Sequence, residues 1–170
     1  HLNSPGGIRE GQEKESFMEF KTVAVAMLSL MLTTCDVNVE TGKHDVEYLQ
    51  TEEFAALNYP FSEAVRVRNM LYLSGQIGTL PNSAELISGG IGPETKQTME
   101  NISNVLEKYG SSMDKVVKCL CMLADISEWG DMSKAYVKFF PDHKPARSAF
   151  AGTGLALGAR VEIECWATVN

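Results

Sequence analysis

The stretch HKPARSAFAGTG, residues 143–154, holds a single arginine, Arg147, directly after Pro145 and Ala146 and at the head of a run of small and apolar residues. A surface arginine normally sits among other charges, and this one does not. A guanidinium presents two parallel N–H donors that match a carboxylate, which the point charge of a lysine cannot do. Capture of a carboxylate is therefore the chemistry open to Arg147; the alternative is an arginine that satisfies carbonyls at a strand end. Near the C-terminus the segment VEIE places Glu162 and Glu164 two residues apart, on the same face of a strand. Taken alone, glutamates there read as surface or ion-pair residues. The cysteines Cys35, Cys119, Cys121 and Cys165 lack C-x-x-C spacing, although Cys119 and Cys121 share one strand face, and they read as buried free thiols rather than as metal ligands. The three histidines, His1, His44 and His143, lie far apart in sequence and suggest no metal site.

The elements that must position these residues belong to a chain of 170 residues with 44% hydrophobic and 22% charged positions, enough for one domain with a core and some spare sequence. The formal net charge of −7 repels phosphate backbones. A nucleic-acid binder would need a local basic stripe to overcome that field, and the fifteen lysines and arginines are scattered.

The front of the chain stands apart. Residues 1–17 are polar and glycine-containing, without an apolar period, and read as a tag or upstream segment. Residues 18–35 carry Lys21 and then an uncharged apolar run from Thr22 to Leu32, the length of a signal-peptide core and short for a bilayer span. The run ends in Leu32-Thr33-Thr34-Cys35, which resembles a bacterial lipobox and implies a lipid anchor at Cys35 with a periplasmic or membrane-anchored location. The alternative is a packed apolar helix and a cytoplasmic protein. Residues 36–59 read as a linker and lead-in, and the domain proper as 60–170.

From Pro60 onward the pattern is dense. Val65 and Val67 alternate with Arg66 and Arg68, the chain turns at Arg68-Asn69 and resumes as an apolar strand through Leu73, so a β-hairpin is expected with Gly75 at a strand end. A helix follows in GPETKQTMENISNVLEKYG: Pro93 suits its first turn, Gly110 its C-terminal cap, and Met99, Ile102, Leu106 and Tyr109 form one stripe. The run from Cys119 to Ala124 is apolar on nearly every residue, as in a strand covered on both faces. A second helix, capped near Ser127, is expected to bury Trp129, Met132, Tyr136 and Phe139. Two further strands are expected around 147–151 and 160–169. The order β-β-α-β-α-β-β defines an α+β domain with a mixed sheet. Two helices cover only one sheet face, so the other requires further copies of the chain.

Five ordered segments, PFSEAVRVRNMLYLSGQIG, GGIGPETKQTMENISNVLEKYG, DKVVKCLCMLADISEWGDMSKAYVKFFP, PARSAFA and VEIECWA, together resemble the RidA family of reactive-intermediate deaminases, also called YjgF or endoribonuclease L-PSP. The resemblance spans Pro60 to Thr168, about two thirds of the chain. It implies a chorismate-mutase-like homotrimer with ligand clefts between subunits, no metal and no cofactor, and hydrolysis of small 2-imino acids to 2-keto acids and ammonia. Arg147 then corresponds to the carboxylate clamp, Glu162 to the carboxylate that positions or activates water, and Gly75 to a point of close ligand approach; Ser74 and Gln76 are lesser candidates. Three positions depart from the family pattern: Phe61 where tyrosine is common, Ala149 where cysteine is common, and Ser133 where asparagine is common. These lining positions bear on substrate choice. A trimeric binder of keto acids or other carboxylates without turnover is the alternative from another class, and an endoribonuclease runs against the charge.

Overall fold

The computed structural model describes residues 45–169. The tag-like segment 1–17, the signal-like segment 18–35 with Cys35, and His1 and His44 lie outside the described residues. One sheet organises the rest. Its strands are β1 (Val46–Leu49), β2 (Ala64–Val67), β3 (Met70–Leu73), β4 (Gln76–Ile77), β5 (Val116–Leu123), β6 (Ala146–Ala151) and β7 (Val161–Thr168), with helices α1 (Glu52–Ala56), α2 (Ile91–Lys108) and α3 (Trp129–Tyr136). The spatial order is β1-β2-β3-β7-β5-β6, and β4 continues along the β3 side of β7. All pairs are antiparallel except β5 with β6, which are parallel and joined through α3. The expected α+β mixed sheet is therefore present. Its first strand lies inside the segment read as linker, because four residues of β1 gain their order from β2 rather than from a pattern of their own.

Local chemistry explains the long helix. Gly90, at φ 88°, leads into α2, and Pro93 sits in its first turn where no N–H is required. At the other end Gly110 adopts φ 82°, and the N–H groups of Gly110 and Ser111 donate to the carbonyls of Glu107 and Leu106, the paired closure of a Schellman motif. Met99, Ile102 and Leu106 are fully buried against the sheet, as their stripe requires. The second helix differs from expectation at its start: Asp125, not Ser127, caps the preceding 3-10 turn, accepting from Ser127 N–H at 2.8 Å. Met132 and Tyr136 are buried, whereas Trp129 is 45% exposed and covers an arginine rather than the core.

Buried Glu94, in the first turn of α2, reaches across to the start of β7. Its Oε1 accepts from the backbone N–H of Arg160 at 2.7 Å and from that of Val161 at 3.4 Å. Gly78 makes room for it, since a Cβ there would lie 2.5 Å from Glu94 Cγ. Two orphan donors are satisfied and the entry of β7 is fixed to α2. Arg160 adds an ion pair with Glu128 just before α3.

The two faces of the sheet differ sharply. On the helix side, Cys119, Cys121 and Leu123 of β5 and Val161, Ile163 and Cys165 of β7 are almost fully buried. On the other side, Tyr72, Phe150 and Trp166 stay substantially exposed, with Val65, Val67, Leu120 and Met122 half-covered. That face has no helix over it among the described residues.

Cys119 and Cys165 stand opposite each other across β5 and β7 and are joined by a disulfide, which corrects the reading of both as free thiols; Cys121 is a buried free thiol. Their sequence separation of 46 residues hides a pairing that only strand register reveals. Alkylation of the unfolded, unreduced protein is expected to leave Cys119 and Cys165 unmodified, and Cys119→Ser is expected to cost about 2–4 kcal/mol in denaturant unfolding of the oxidised protein. Labelling of both residues without reductant would contradict the pairing.

Candidate functional site

The candidate residues divide into two groups, and the division follows from the pleat. Residues directly opposite in a ladder point to the same face, and neighbours along a strand alternate. Arg147 is in register with Cys119, which is in register with Cys165, so Arg147 belongs to the helix-side row. Ala149 shares the next helix-side row with Cys121 and Ile163. Glu162 is in register with Met122 and Ile77, and Met122 with Phe150, all on the open side.

On the helix side, the Arg147 guanidinium carbon lies 5.2 Å from the Trp129 ring and 5.0 Å from the Tyr136 ring. Two aromatic faces hold a cation by its attraction to their π electrons and restrict its rotamers. Trp129, Ser133 and Tyr136 fall at i, i+4 and i+7 on α3, which places Ser133 on the stripe between the two rings. The Ser133 Oγ and Tyr136 hydroxyl are buried without a hydrogen-bond partner among the described residues. Among the described residues Arg147 has no acidic partner and donates to no strand-end carbonyl. Cys121 lies on the same face, and burial raises its thiol pKa to about 11 against a smaller opposing pull from Arg147, so it is a protonated thiol at neutral pH. Burial, reinforced by Cys121 and opposed by Arg147, also raises the Tyr136 pKa.

On the open side, Glu162 stands in an apolar row with Ile77, Met122 and Phe150, and Glu164 follows two residues later on the same face. Burial, with repulsion from Glu164 behind it, pushes the Glu162 carboxyl above its ordinary 4.5. Gly75 borders this carboxylate so closely that a Cβ there would lie 2.1 Å from Glu162 Oε1. Phe61 belongs to the same corner. Its ring stacks on Tyr59 at 5.3 Å and meets Phe54 edge-on at 6.0 Å. The segment is tied beside Gly75 by Ser74, whose Oγ donates to the Ser62 carbonyl at 2.7 Å and whose N–H donates to the Glu63 carbonyl at 3.0 Å. Gln76 donates back to the Ser74 carbonyl at 3.3 Å.

One chain thus presents Arg147, Ala149 and Ser133 on one side of its sheet and Glu162, with Gly75 against its carboxylate, on the other; Phe61 lies in the segment tied to Ser74. The two groups do not meet within a protomer. A polar recess of about 340 Å³ lined by Asp45, Glu47, Arg66, Arg68, Tyr109, Gly110 and Val169 contains none of them. Sequence reasoning missed Trp129 and Tyr136 as holders of Arg147. Their helical spacing with Ser133 carries the signal, but on its own it reads as core.

The chain is similar to known proteins over most of the described residues. The model of the family described as Endoribonuclease L-PSP matches residues 51–169. Reactive Intermediate Deaminase A, chloroplastic, of Arabidopsis thaliana is 35% identical over 133 residues, 78% of this chain and 71% of that protein. The human 2-iminobutanoate/2-iminopropanoate deaminase is 40% identical over 105 residues, 62% of this chain and 77% of its own length. Among solved structures, RidA from an Antarctic Psychrobacter species superposes with a TM-score of 0.66 at 33% identity, over 72% of this chain and 99% of that one.

The close approach at Gly75 is directly testable. Gly75→Ala is expected to push the Glu162 carboxylate aside by roughly 1 Å, the shortfall from an ordinary contact, while the fold stays intact because the long side chain can rotate away. A crystal structure of the variant with the carboxylate unmoved would contradict it.

Proposed function

From the premise that this chain belongs to the endoribonuclease L-PSP (RidA) family, we propose that it hydrolyses small 2-imino acids to 2-keto acids and ammonia, in clefts between copies of the chain. The observation that carries this reading is Arg147: a guanidinium held over two aromatic rings of α3, with no acidic side chain to neutralise it among the described residues. An arginine kept in that state is prepared for a carboxylate that arrives with the ligand. The names of the relatives, imine and reactive-intermediate deaminases, support the same substrate class.

The chemistry needs a bound carboxylate, an electrophilic C2 and an oriented water. Arg147 takes the substrate carboxylate in a bidentate pair and fixes C2 in the cleft. Glu162, supplied by a neighbouring copy, accepts a proton from water as its oxygen bonds to C2 and the C=N π electrons move to nitrogen. Glu162 returns that proton to the amine of the carbinolamine formed from the iminium, then takes the hydroxyl proton as the C–N bond breaks and the C2 carbonyl forms, and passes it to the departing ammonia, which leaves as ammonium. The direction of the Glu162 shift suits this cycle, because burial that raises a carboxyl pKa makes the carboxylate a stronger proton acceptor. Gly75 leaves room beside the carboxylate, and Phe61, Ser133 and Ala149 line the two halves.

The reading requires an oligomer. Tyr72, Trp166 and Phe150 leave an apolar surface exposed on the open face that a second copy would cover, and β6, which carries Arg147, is an edge strand within reach of a neighbour. We propose a homotrimer, the number taken from the family resemblance. The Cys119–Cys165 disulfide supports folding in an oxidising compartment, in line with the signal-like segment 18–35.

Two variants separate the two roles. Arg147→Ala is expected to lose both binding and turnover, by about 2–5 kcal/mol, because a desolvated carboxylate loses its partner. Glu162→Gln is expected to bind 2-ketobutyrate as the wild type does in calorimetry, yet to consume freshly generated 2-iminobutyrate far more slowly, with semicarbazide as the competing trap. In the wild type kcat rises as pH climbs through a value above 4.5, the direction set by a raised carboxyl that works deprotonated, and this limb disappears in Glu162→Gln. Wild-type turnover no faster than buffer, or Glu162→Gln as fast as wild type, would contradict the mechanism.

A further inference from the structure

A bidentate guanidinium fills two of the roughly four acceptor positions of a carboxylate. The others need donors, and α3, whose rings lie on Arg147, carries two buried hydroxyls without a partner among the described residues, those of Ser133 and Tyr136. Tyr136 is the more telling. It is 5% exposed, its ring lies 5.0 Å from the guanidinium carbon, and it packs on Phe140 at 5.0 Å between ring centroids. The ring thus touches both Phe140 and Arg147, and both contacts restrict it. Phenylalanine would hold the cation by the same ring attraction and fill the same core position without burying an oxygen. A buried hydroxyl without a partner weakens the free protein, and such groups persist where a ligand completes them.

We propose that the Tyr136 hydroxyl donates a hydrogen bond to the same substrate carboxylate that Arg147 binds, making the clamp a guanidinium and phenol pair with Ser133 at its side. The inference rests on the reading of Arg147 as the carboxylate clamp. Under it, Tyr136 both positions Arg147 through its ring and contacts the ligand through its oxygen. The contact is to the carboxylate, common to every 2-keto and 2-imino acid, and so is independent of the substrate side chain.

Tyr136→Phe isolates the oxygen and leaves the ring in place. Calorimetric titration with pyruvate and with 2-ketobutyrate is expected to show binding weakened about tenfold, by the same factor for both. The Tm of the ligand-free variant is expected to stay level or rise, because an unsatisfied buried group has been removed. KM for the imine is expected to rise with kcat nearly constant. An unchanged Kd would overturn the inference. So would a fall in Tm of several degrees, which assigns the hydroxyl a structural bond through buried water, or a loss confined to one of the two keto acids, which places it against the side chain. A wild-type protein that binds neither keto acid would overturn the clamp reading and this inference together, whereas equal binding by wild type and Tyr136→Phe removes this inference alone.

Discussion

Side chains alternate across a β-strand, and in β7 that alternation decides what the molecule can be. Val161, Ile163 and Cys165 face the helices and build the core, which forces Glu162, Glu164 and Trp166 onto the opposite face. A shift of one residue in register would bury two carboxylates and expose the core. Because Arg147 shares its row with Cys119 and Cys165, the same parity sets it apart from Glu162. A chain that uses both residues on one ligand must borrow one of them from another copy. On the proposed function, assembly and chemistry then share the open face, where Glu162 stands among Ile77, Met122 and Phe150.

The scaffold spends its most costly contacts on holding these two groups still. Glu94 is buried so that the first N–H groups of β7 have an acceptor, Gly78 is small to admit it, and Gly75 is small to admit Glu162. Among the described residues Arg147 is confined by rings instead of by an acid, which orients it without neutralising it. Of the three buried polar atoms without a partner among the described residues, the hydroxyls of Ser133 and Tyr136 lie on α3, whose rings hold Arg147, and the third, Arg66 Nε, lies on β2.

Much of the fold is legible in the sequence because local rules and tertiary packing agree there. The Arg68-Asn69 turn, the stripe Met99, Ile102, Leu106, and Gly110 at the end of its helix each state one structure, and the structure adopts it. Where local pattern is silent the reading fails. Val46–Leu49 has no buried face within the chain and takes its order from β2. The Cys119–Cys165 bond depends on register across 46 residues. Trp129 has the spacing of a core residue and the position of a lid over Arg147. Arg147 and Glu162 are legible as chemical types from their segments; the faces they occupy become visible only when rows are traced through β5, between the strands that carry them.

The claim that one site takes its arginine and its glutamate from different copies is tested most directly by mixing two inactive variants. Arg147→Ala and Glu162→Gln chains, unfolded together and reassembled in equal amounts, place an intact Arg147 opposite an intact Glu162 in about one interface in four on random assembly. The account predicts that imine hydrolysis returns to about a quarter of the wild-type rate, while each variant reassembled alone stays inactive. Mixed oligomers, verified by native mass spectrometry, with no recovered activity would contradict it.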